Sequence, residues 1–394
     1  MDNPYTPESG AVPRDLVGRD VVRTRFAALL DGLERGHAQR SHILTGVRGT
    51  GKTVMLRDHV RTARARRWAI VDIDAARRDD HGFRRQLAFE ARSSLLAVSP
   101  RSKWTSEATT ASGVLGSFAS LLGGDSPLTS EWTESAPGSA DSGALSPDVT
   151  ALLLALGEAA RSHSTGIVFV IDELQRFTTG QLGALIDGLH RTYLRELPIT
   201  LVGAGLPRSD ALFAETQVRA NRLFEFSSLD AFIDSDTATL LRWTSECDDD
   251  AIAVAQTLTG GYPRLVQALG HVLWEKHGPQ KVTADAVEYA SAEYEKFVDE
   301  GFFREHLSRA GDMDIAYLRA VVDSPIEAET ARLLERTTAQ CAETRSALID
   351  RGLIHLSESG SAAFTTPHFE GFIRRTLPTL STPPHKQRRR RYDP

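Results

Sequence analysis

The chain has 394 residues, of which 41% are hydrophobic and 25% are charged. This composition excludes a disordered chain and predicts a globular protein of two or three domains. The formal net charge of −6 excludes a global basic field that would draw the whole molecule onto nucleic acid.

Cysteine usage and hydropathy indicate the cellular setting. The two cysteines, Cys247 and Cys341, are spaced neither as metal ligands nor as a disulfide framework, which fits a reducing compartment. The N-terminus lacks the charged-then-apolar plan of a signal peptide. No apolar run approaches the roughly 20 residues that would span a bilayer. The sequence therefore predicts a cytoplasmic protein with no membrane partner.

The N-terminal part of the chain changes character near residue 14. Residues 1–13 contain three prolines and few apolar side chains, and we expect a loose segment there. A helical pattern of apolar residues follows from about residue 16 to residue 33, and the apolar run at 41–45 predicts a first strand.

Residues 46–53 read Gly-Val-Arg-Gly-Thr-Gly-Lys-Thr and match G-x-x-x-x-G-K-[ST] in full. Glycines let the backbone curl so that its N–H groups face phosphate oxygens, while Lys52 reaches the outer phosphates and Thr53 ligates Mg²⁺. The strand before the loop and the helical spacing after it place the phosphates at a helix N-terminus. The residues predicted to bind the nucleoside triphosphate are Gly46, Val47, Arg48, Gly49, Thr50, Gly51, Lys52, Thr53 and Val54.

Further strands and helices alternate up to residue 226, which predicts a parallel sheet covered by helices on both faces. The predicted strands are 68–74, 166–171, 199–205 and 222–226, and the predicted helices are 83–97 and 148–162. Residues 99–147 are dominated by Ser, Gly, Thr, Ala and Pro. So long a biased stretch predicts a surface insertion or a mobile loop.

Two acidic residues follow the most apolar of these strands. Asp172 comes at the carboxyl end of the strand, where open parallel sheets bind their ligands, and we expect it to hold Mg²⁺ directly or through water. Glu173 is next in the chain and can accept a proton from an attacking water.

These motifs together resemble the AAA+ ATPases. The resemblance rests on Leu16-Val17-Gly18-Arg19, on residues 46–53, on Ile171-Asp172-Glu173-Leu174-Gln175 and on Gly260-Gly261-Tyr262-Pro263-Arg264. It covers about residues 14–300 and is nearest to the origin-recognition (initiator) and archaeal-ATPase-like clade, with the STAND signalling ATPases related to it. It implies ATP as the nucleotide, Val17 and Gly18 against the adenine, and Arg264 as the lid residue that touches the outer phosphates.

Such ATPases often carry an arginine finger before their last core strand. Arg222 is the first candidate for this role and Arg219 the second, and either would act on a neighbouring subunit's ATP. An arginine that pairs with Glu215 or Glu225 is the alternative. The strand at 199–205 ends in Gly-Ala-Gly-Leu-Pro and offers no polar residue to orient water, which favours a slow switch over a motor.

The C-terminal third divides into three parts. Residues 233–305 carry no strand pattern and predict a helical lid. Residues 312–377 resemble a winged helix, with helices at 315–322, 329–335 and 339–349 before a hairpin-like wing. Asp and Glu outnumber Lys and Arg there by ten to seven, so both DNA contact and a domain- or partner-docking role stay open. The basic tail, 379–394, is either an arm that grips nucleic acid or a solvated end.

The predicted architecture is therefore an α/β P-loop NTPase core at 14–232, a helical lid and a C-terminal winged helix. The predicted function is slow, Mg²⁺-dependent ATP hydrolysis that switches conformation or assembly and acts on DNA or on a partner protein. A nucleotide-gated scaffold and a DNA-binding regulator with little turnover are the alternatives. Self-association is expected if the arginine finger acts between subunits.

Overall fold

The computed structural model describes residues 2–8, 10–74, 79–123, 136–207, 213, 220–308, 310–357 and 360–383. It divides into two compact units. The first, here called the sheet unit, contains Glu8–Gly46 and Thr50–Asp230. The second, here called the C-terminal unit, contains Met1–Pro7, Val47–Gly49 and Ala231–Pro394.

The sheet unit alternates strands and helices. Its helices are α1 (Asp20–Glu34), α2 (Lys52–Ala65), α3 (Asp80–Val98), α4 (Ser106–Ser120), α5 (Leu145–Ser162), α6 (Thr179–Leu194) and the single turn α7 (Ala220–Leu223). Its strands are β1 (Ser41–Thr45), β2 (Ala69–Asp74), β3 (Ile167–Asp172), β4 (Ile199–Gly205) and β5 (Phe224–Ser228). Short 3-10 turns lie at Arg101–Lys103 and Leu174–Arg176.

The five strands form one parallel sheet in the order β2-β3-β4-β1-β5. This confirms the predicted parallel α/β core. Strand β4 lies between β1 and β3, with Val202 beside His42 and Gly203 beside Ile171. The carboxyl ends of β1 and β3 therefore flank the end of β4 at one edge of the sheet.

Alternate residues of β3 enter two different apolar cores. Ile167, Phe169 and Ile171 pack with side chains of α3 to α6, whereas Val168 and Val170 pack with those of α1 and α2. Because successive side chains of a strand point to opposite faces, an uninterrupted apolar run indicates a strand buried on both sides. The sheet is thus covered by helices on both faces.

The expectation of a surface insertion or mobile loop at 99–147 is wrong for its first part. Helix α4 occupies Ser106–Ser120, and ten of its fifteen residues are buried. It packs against α5 and α3. Its Ala, Ser and Gly side chains resemble low-complexity sequence, yet small side chains let a helix approach its neighbours closely. Residues 124–135 lie outside the described part of the chain.

The C-terminal unit is mainly helical. Its helices are α8 (Asp234–Leu241), α9 (Asp249–Thr259), α10 (Pro263–His277), α11 (Ala284–Val298), α12 (Arg304–Leu307), α13 (Asp312–Asp323), α14 (Glu327–Leu333), α15 (Thr338–Asp350) and α16 (Phe369–Thr376). Its strands β6 (Ile354–Leu356) and β7 (Ala362–Phe364) pair antiparallel, and a π-helical turn spans Asp299–Phe303.

The expectation that residues 1–13 are loose is wrong for their first part. Tyr5 is only 5% exposed. Its hydroxyl lies 3.2 Å from the carbonyl oxygen of Leu241 and 3.0 Å from Oγ1 of Thr244. A Cβ atom on Gly270 would lie 2.3 Å from Cε1 of Tyr5, so this glycine makes room for the aromatic ring. One aromatic anchor orders a segment whose overall composition predicts a loop.

The C-terminal elements follow the predicted sequence of three helices and a hairpin, α13 to α15 and then β6 and β7. Phe303 of the π-helical turn lies 5.2 Å from Phe369 and 5.4 Å from Phe372, between ring centroids. The aromatic rings of α16 therefore join this part to the preceding helices in one core. Of the basic tail, residues 384–394 lie outside the described chain.

Candidate nucleotide-binding site

A glycine loop joins β1 to α2. A Cβ atom on Gly46 would lie 2.7 Å from the carbonyl oxygen of Leu229 and 2.7 Å from Oγ1 of Thr50, so close approach requires glycine. Gly51 is the N-cap residue of α2 and has a φ of 92°, in the left-handed region that favours glycine. The loop and the start of the helix thus depend on these two positions.

Helix α2 begins without a side-chain cap. The first N–H groups of a helix have no intrahelical partner, and together with the helix dipole they attract anions. Lys52 is 9% exposed, and its Nζ donates a hydrogen bond of 2.8 Å to the carbonyl oxygen of Gly46. Thr53 and Val54 follow in the same first turn. An ammonium group and uncapped amides at one place form a donor set for phosphate oxygens.

Thr53 meets Asp172 in the sheet unit. Oγ1 of Thr53 donates a hydrogen bond of 2.6 Å to Oδ2 of Asp172, so the lone pairs of the hydroxyl oxygen stay available to a cation. Mg²⁺ prefers oxygen ligands and takes one or two carboxylates together with substrate phosphates and water. No group of three or more His, Cys, Asp or Glu in the described chain is arranged to hold a metal alone. The residues present therefore fit Mg²⁺ bound together with a nucleotide.

Glu173 has an unusual backbone conformation. Its φ is 56° and its ψ 47°, which is rare for a residue other than glycine, and its N–H donates a hydrogen bond of 2.8 Å to Oδ1 of Asp172. Nε2 of Gln175 lies 2.5 Å from Oε2 of Glu173. Both Glu173 and Gln175 are half-buried. The turn after β3 thus directs the adjacent carboxylates of Asp172 and Glu173 towards different hydrogen-bond partners.

Two further aspartates lie on β2, next to β3. Asp74 pairs with Asp172 in the parallel register. Burial, followed by the nearby charges of Asp172 and Asp74, raises the pKa of Asp72. This carboxyl edge is therefore acidic, which attracts a divalent cation.

Arg19 ties the segment that carries Val17 and Gly18 to the glycine loop. Its Nη2 atom donates hydrogen bonds of 3.1 Å to the carbonyl oxygen of Thr50 and 2.7 Å to that of Asp230. Gly18 precedes it with a φ of 65°. The predicted adenine contacts thus belong to the same unit as Lys52 and Asp172.

The tip of the glycine loop, Val47–Gly49, belongs to the C-terminal unit. Nε of Arg48 donates a hydrogen bond of 2.7 Å to the carbonyl oxygen of Arg351. The backbone N–H of Arg264, at the start of α10, donates one of 3.4 Å to the carbonyl oxygen of Gly49. The predicted lid arginine therefore starts its helix beside the loop tip.

The guanidinium of Arg264 makes several contacts within the same unit. Its Nε donates a hydrogen bond of 3.1 Å to the carbonyl oxygen of Pro7, and Nη2 lies 3.8 Å from Oε2 of Glu305. Its Cζ lies 4.4 Å from the ring centroid of Phe302. A contact with phosphate would require Arg264 to exchange some of these partners.

The structure describes one of the two residues predicted as an arginine finger. Arg222 is exposed, in α7 directly before β5, whereas Arg219 lies outside the described residues. Glu225, an alternative partner for Arg222, forms ion pairs with Arg25 at 3.6 Å and Arg40 at 3.6 Å. An exposed arginine at this place is sterically accessible to another molecule.

The family comparison concerns the part of the chain that holds most of these residues. Residues 15–202 match the sequence profile of the AAA ATPase domain. This region is similar to the AAA ATPase domain. Residues 300–373 match a second profile, that of a domain of unknown function, DUF8462. No protein with a curated function has a matching sequence.

Solved structures share the fold of this chain. The Walker-type ATPase paby2304 of Pyrococcus abyssi is 15% identical over 91% of this chain and 96% of its own, with a TM-score of 0.56. Cdc6p of Pyrobaculum aerophilum is 17% identical over 94% of this chain and 96% of its own, with a TM-score of 0.45. ORC1 of Aeropyrum pernix, in complex with DNA, is 17% identical over 92% and 94%, with a TM-score of 0.44. The first of these confirms the predicted P-loop NTPase fold.

Three polar residues around the candidate site were not predicted to take part. They are Arg19, Asp74 and Gln175. Asp74 is the last residue of one predicted strand, and Asp172 directly follows another. This shared position at the carboxyl end of a strand could have identified Asp74 from the sequence. Hydrogen bonds of Arg19 and Gln175 depend on backbone turns that no sequence pattern specifies. Among the described helices, none is long and apolar enough to cross a membrane.

Proposed function

We propose that this protein binds ATP with Mg²⁺ and hydrolyses it slowly, and that the bound nucleotide switches its conformation or assembly. The observation that carries the proposal is the 2.6 Å hydrogen bond between Thr53 and Asp172, with Glu173 next in the chain. This contact between a hydroxyl and a carboxylate at the start of α2, with a second acid next in the chain, supports the proposal. The match of residues 15–202 to the AAA ATPase domain supports the same activity.

Each residue has a separate task in the proposed reaction. Lys52 binds the outer phosphates, while Thr53 and Asp172 hold the metal ion, which when bound neutralises phosphate charge. Glu173 accepts a proton from the attacking water. The water oxygen bonds to the terminal phosphorus as the bond to the leaving ADP oxygen breaks, and the products are ADP and inorganic phosphate.

The end of β4 supports the proposal of slow turnover. A Cβ atom on Gly203 would lie 2.6 Å from Cδ1 of Leu174 and 3.0 Å from Cδ1 of Ile43, so no larger side chain fits. Ala204, Gly205 and Leu206 are buried and carry no polar side-chain group. The end of β4 thus offers no polar side chain to orient water, and we expect turnover below the ~10 s⁻¹ that is typical of enzymes.

The test is single-turnover hydrolysis of ATP by the parent protein and by Glu173→Gln. The amide keeps the shape of the side chain but accepts no proton, so the rate should fall by about 10²- to 10⁴-fold with unchanged ATP affinity. Glu196→Gln is the matched control, because Glu196 is also a glutamate with a left-handed backbone, at φ 53°, and is exposed. Equal rates for the parent and Glu173→Gln would contradict the assignment of the base.

Assembly is the second part of the proposal. If Arg222 serves the site of a neighbouring copy, ATP should favour self-association. Mixing Arg222→Ala with Lys52→Ala protein should then restore some ATPase activity, because each variant keeps the half that the other lacks. A monomer with full activity would exclude a finger that acts between copies.

The switch in conformation or assembly acts on DNA or on a partner protein. Helix α15, at the place of a winged-helix recognition helix, carries Glu343 and Asp350, and its Arg345 forms an ion pair with Glu327. This charge balance favours a protein partner for the folded domain. The basic tail supplies the opposite argument, since Lys386 and Arg388 to Arg391 place five cations within six residues.

Duplex binding across a salt series separates these two objects. If DNA is bound, deletion of residues 385–394 should reduce the slope of log affinity against log salt by roughly 4 to 5, because it removes five cations that each neutralise a phosphate. No binding by the full chain at low salt would exclude DNA and favour a protein partner. Equal slopes for the full and the shortened chain would show that the tail does not contact DNA, and α15 would then be the candidate for that contact.

A further inference from the structure

The side chain of Gln175 lies beside Glu173, the proposed general base. Gln175 sits in the 3-10 turn Leu174–Arg176, directly after Glu173. The turn is held by a 2.9 Å hydrogen bond from the N–H of Arg176 to the carbonyl oxygen of Glu173. It is also held by Leu174, which is buried and packs on Gly203 of β4. The backbone of Gln175 is therefore fixed relative to β3 and β4.

The amide of Gln175 has one engaged and one unused group. Nε2 donates the 2.5 Å hydrogen bond to Oε2 of Glu173. Oε1 is buried and has no hydrogen-bond partner in the described chain. An unpartnered buried acceptor costs free energy, about 1–3 kcal/mol, and a hydrogen-bond donor from substrate or water would recover it.

We propose that Gln175 is the residue that positions Glu173 for proton transfer. The proposal rests on the proposed ATP hydrolysis. The amide holds Oε2 of Glu173, which fixes the orientation in which this carboxylate accepts the water proton. The unused amide oxygen of Gln175 accepts the second hydrogen of the same water, so the two side chains together hold the water in one orientation.

A contact that acts only through Glu173 has a distinctive kinetic signature. Loss of the amide leaves phosphate and metal binding intact, because Lys52, Thr53 and Asp172 supply the groups that bind phosphate and metal. The dissociation constant for MgATP should therefore stay within about twofold, while the single-turnover rate falls by about 10- to 100-fold, the effect of misplacing a reacting group by an ångström. In a Glu173→Gln background the same substitution should have no further effect on rate.

Two substitutions of Gln175 test the proposal. Gln175→Leu removes both polar groups at similar volume, and Gln175→Glu keeps the length while replacing the donor by a second carboxylate next to Glu173. The matched control is Gln181→Leu. Gln181 is a buried glutamine of the same unit whose side chain caps α6 and bonds Asp80 at 3.1 Å, so its loss lowers the melting temperature without selective loss of rate.

The experiment measures three quantities for the parent, the two Gln175 variants, Gln181→Leu and each substitution combined with Glu173→Gln. They are MgATP affinity, single-turnover rate and melting temperature. A fall in rate confined to the Gln175 variants with Glu173 present supports the proposal. Unchanged or faster hydrolysis by Gln175→Leu overturns it, as does an equal fall of affinity and rate. A parent that binds MgATP but forms no phosphate overturns the proposed hydrolysis itself.

Discussion

The hydroxyl of Thr53 donates a 2.6 Å hydrogen bond to the carboxylate of Asp172, which lies 119 positions later in the chain. The first residue belongs to the start of α2 and the second ends β3, two strands away from β1 in the sheet. Parallel strand order brings the two together, because the carboxyl ends of all five strands lie at one edge. The contact joins the phosphate-binding loop to the acids that follow β3.

Asp172→Asn should remove most of the effect of Mg²⁺ on ATP binding. The amide keeps a hydrogen-bond acceptor for Thr53 but loses the negative charge that holds the ion, so affinity in the presence of Mg²⁺ should fall by roughly 10- to 100-fold. Affinity in the presence of a chelator should stay the same. Titration of ATP at several Mg²⁺ concentrations measures this difference, and Asp20→Asn, an exposed aspartate of the same unit, is the control. An unchanged response to Mg²⁺ would remove Asp172 from the metal site.

Removal of one partner of a buried ion pair should strongly destabilise the sheet unit. Nη2 of Arg84 lies 2.9 Å from Oδ2 of Asp148, with side chains that are 7% and 2% exposed. Oδ1 of Asp148 accepts hydrogen bonds from the backbone N–H and the hydroxyl of Ser142. Asp148→Ala leaves a buried cation without its partner, and the free energy of unfolding should fall by about 3–5 kcal/mol.

Urea unfolding followed by circular dichroism measures that loss. The control is Glu158→Ala, which breaks a surface pair with Arg161 on the same helix and should cost at most about 1 kcal/mol. Comparable losses for the two variants would show that burial does not decide the contribution of Asp148.

Two buried histidines should make the fold sensitive to acid. His59 of α2 is fully buried, stacks on Phe26 at 4.2 Å, and has no hydrogen-bond partner in the described chain for either ring nitrogen. Burial lowers the pKa of His59 to about 3 and that of His42, 5.6 Å away, to about 4. The folded protein therefore keeps both rings neutral while the unfolded chain binds protons below about pH 6.5.

Stability should accordingly be complete above about pH 6.5 and fall as the pH drops towards the folded-state values. Each histidine contributes a slope of about 1.4 kcal/mol per pH unit between these limits. His59→Phe should remove one such slope, because phenylalanine takes up no proton. Urea unfolding between pH 7 and pH 5 tests this, with His37→Phe at an exposed position as the control. The same slope in the parent and in His59→Phe would contradict a neutral buried ring.

Local patterns in the sequence were enough to predict the parallel core. The glycine loop is specified by contiguous residues, and the apolar run before Asp172 reflects burial on both faces of β3. Both signals are short and do not depend on contacts between distant parts of the chain. The predicted helices and strands therefore agree with the structure to within a few residues, as at β4 (Ile199–Gly205).

Other features depended on partners that a local pattern does not contain. Helix α4 is ordered by burial of small side chains against neighbouring helices, although its composition resembles a loop. Tyr5 is anchored by a glycine 265 positions away, Gly270. Gln175 reaches Glu173 only because the turn after β3 has a left-handed residue. In each case tertiary packing overrides the local preference of the chain.

Binding of MgATP to the parent and to Lys52→Ala tests the central claim most directly. Isothermal titration calorimetry of the full chain gives both dissociation constants. Lys52 provides a charged hydrogen-bond donor at the N-terminus of α2. A hydrogen bond of this kind contributes about 1.5–3 kcal/mol, so Lys52→Ala should bind MgATP at least roughly 10-fold more weakly. Lys103→Ala, an exposed lysine of the same unit, should bind like the parent. Equal affinity of the parent and Lys52→Ala, or no binding by the parent, would contradict a nucleotide site at residues 46–53.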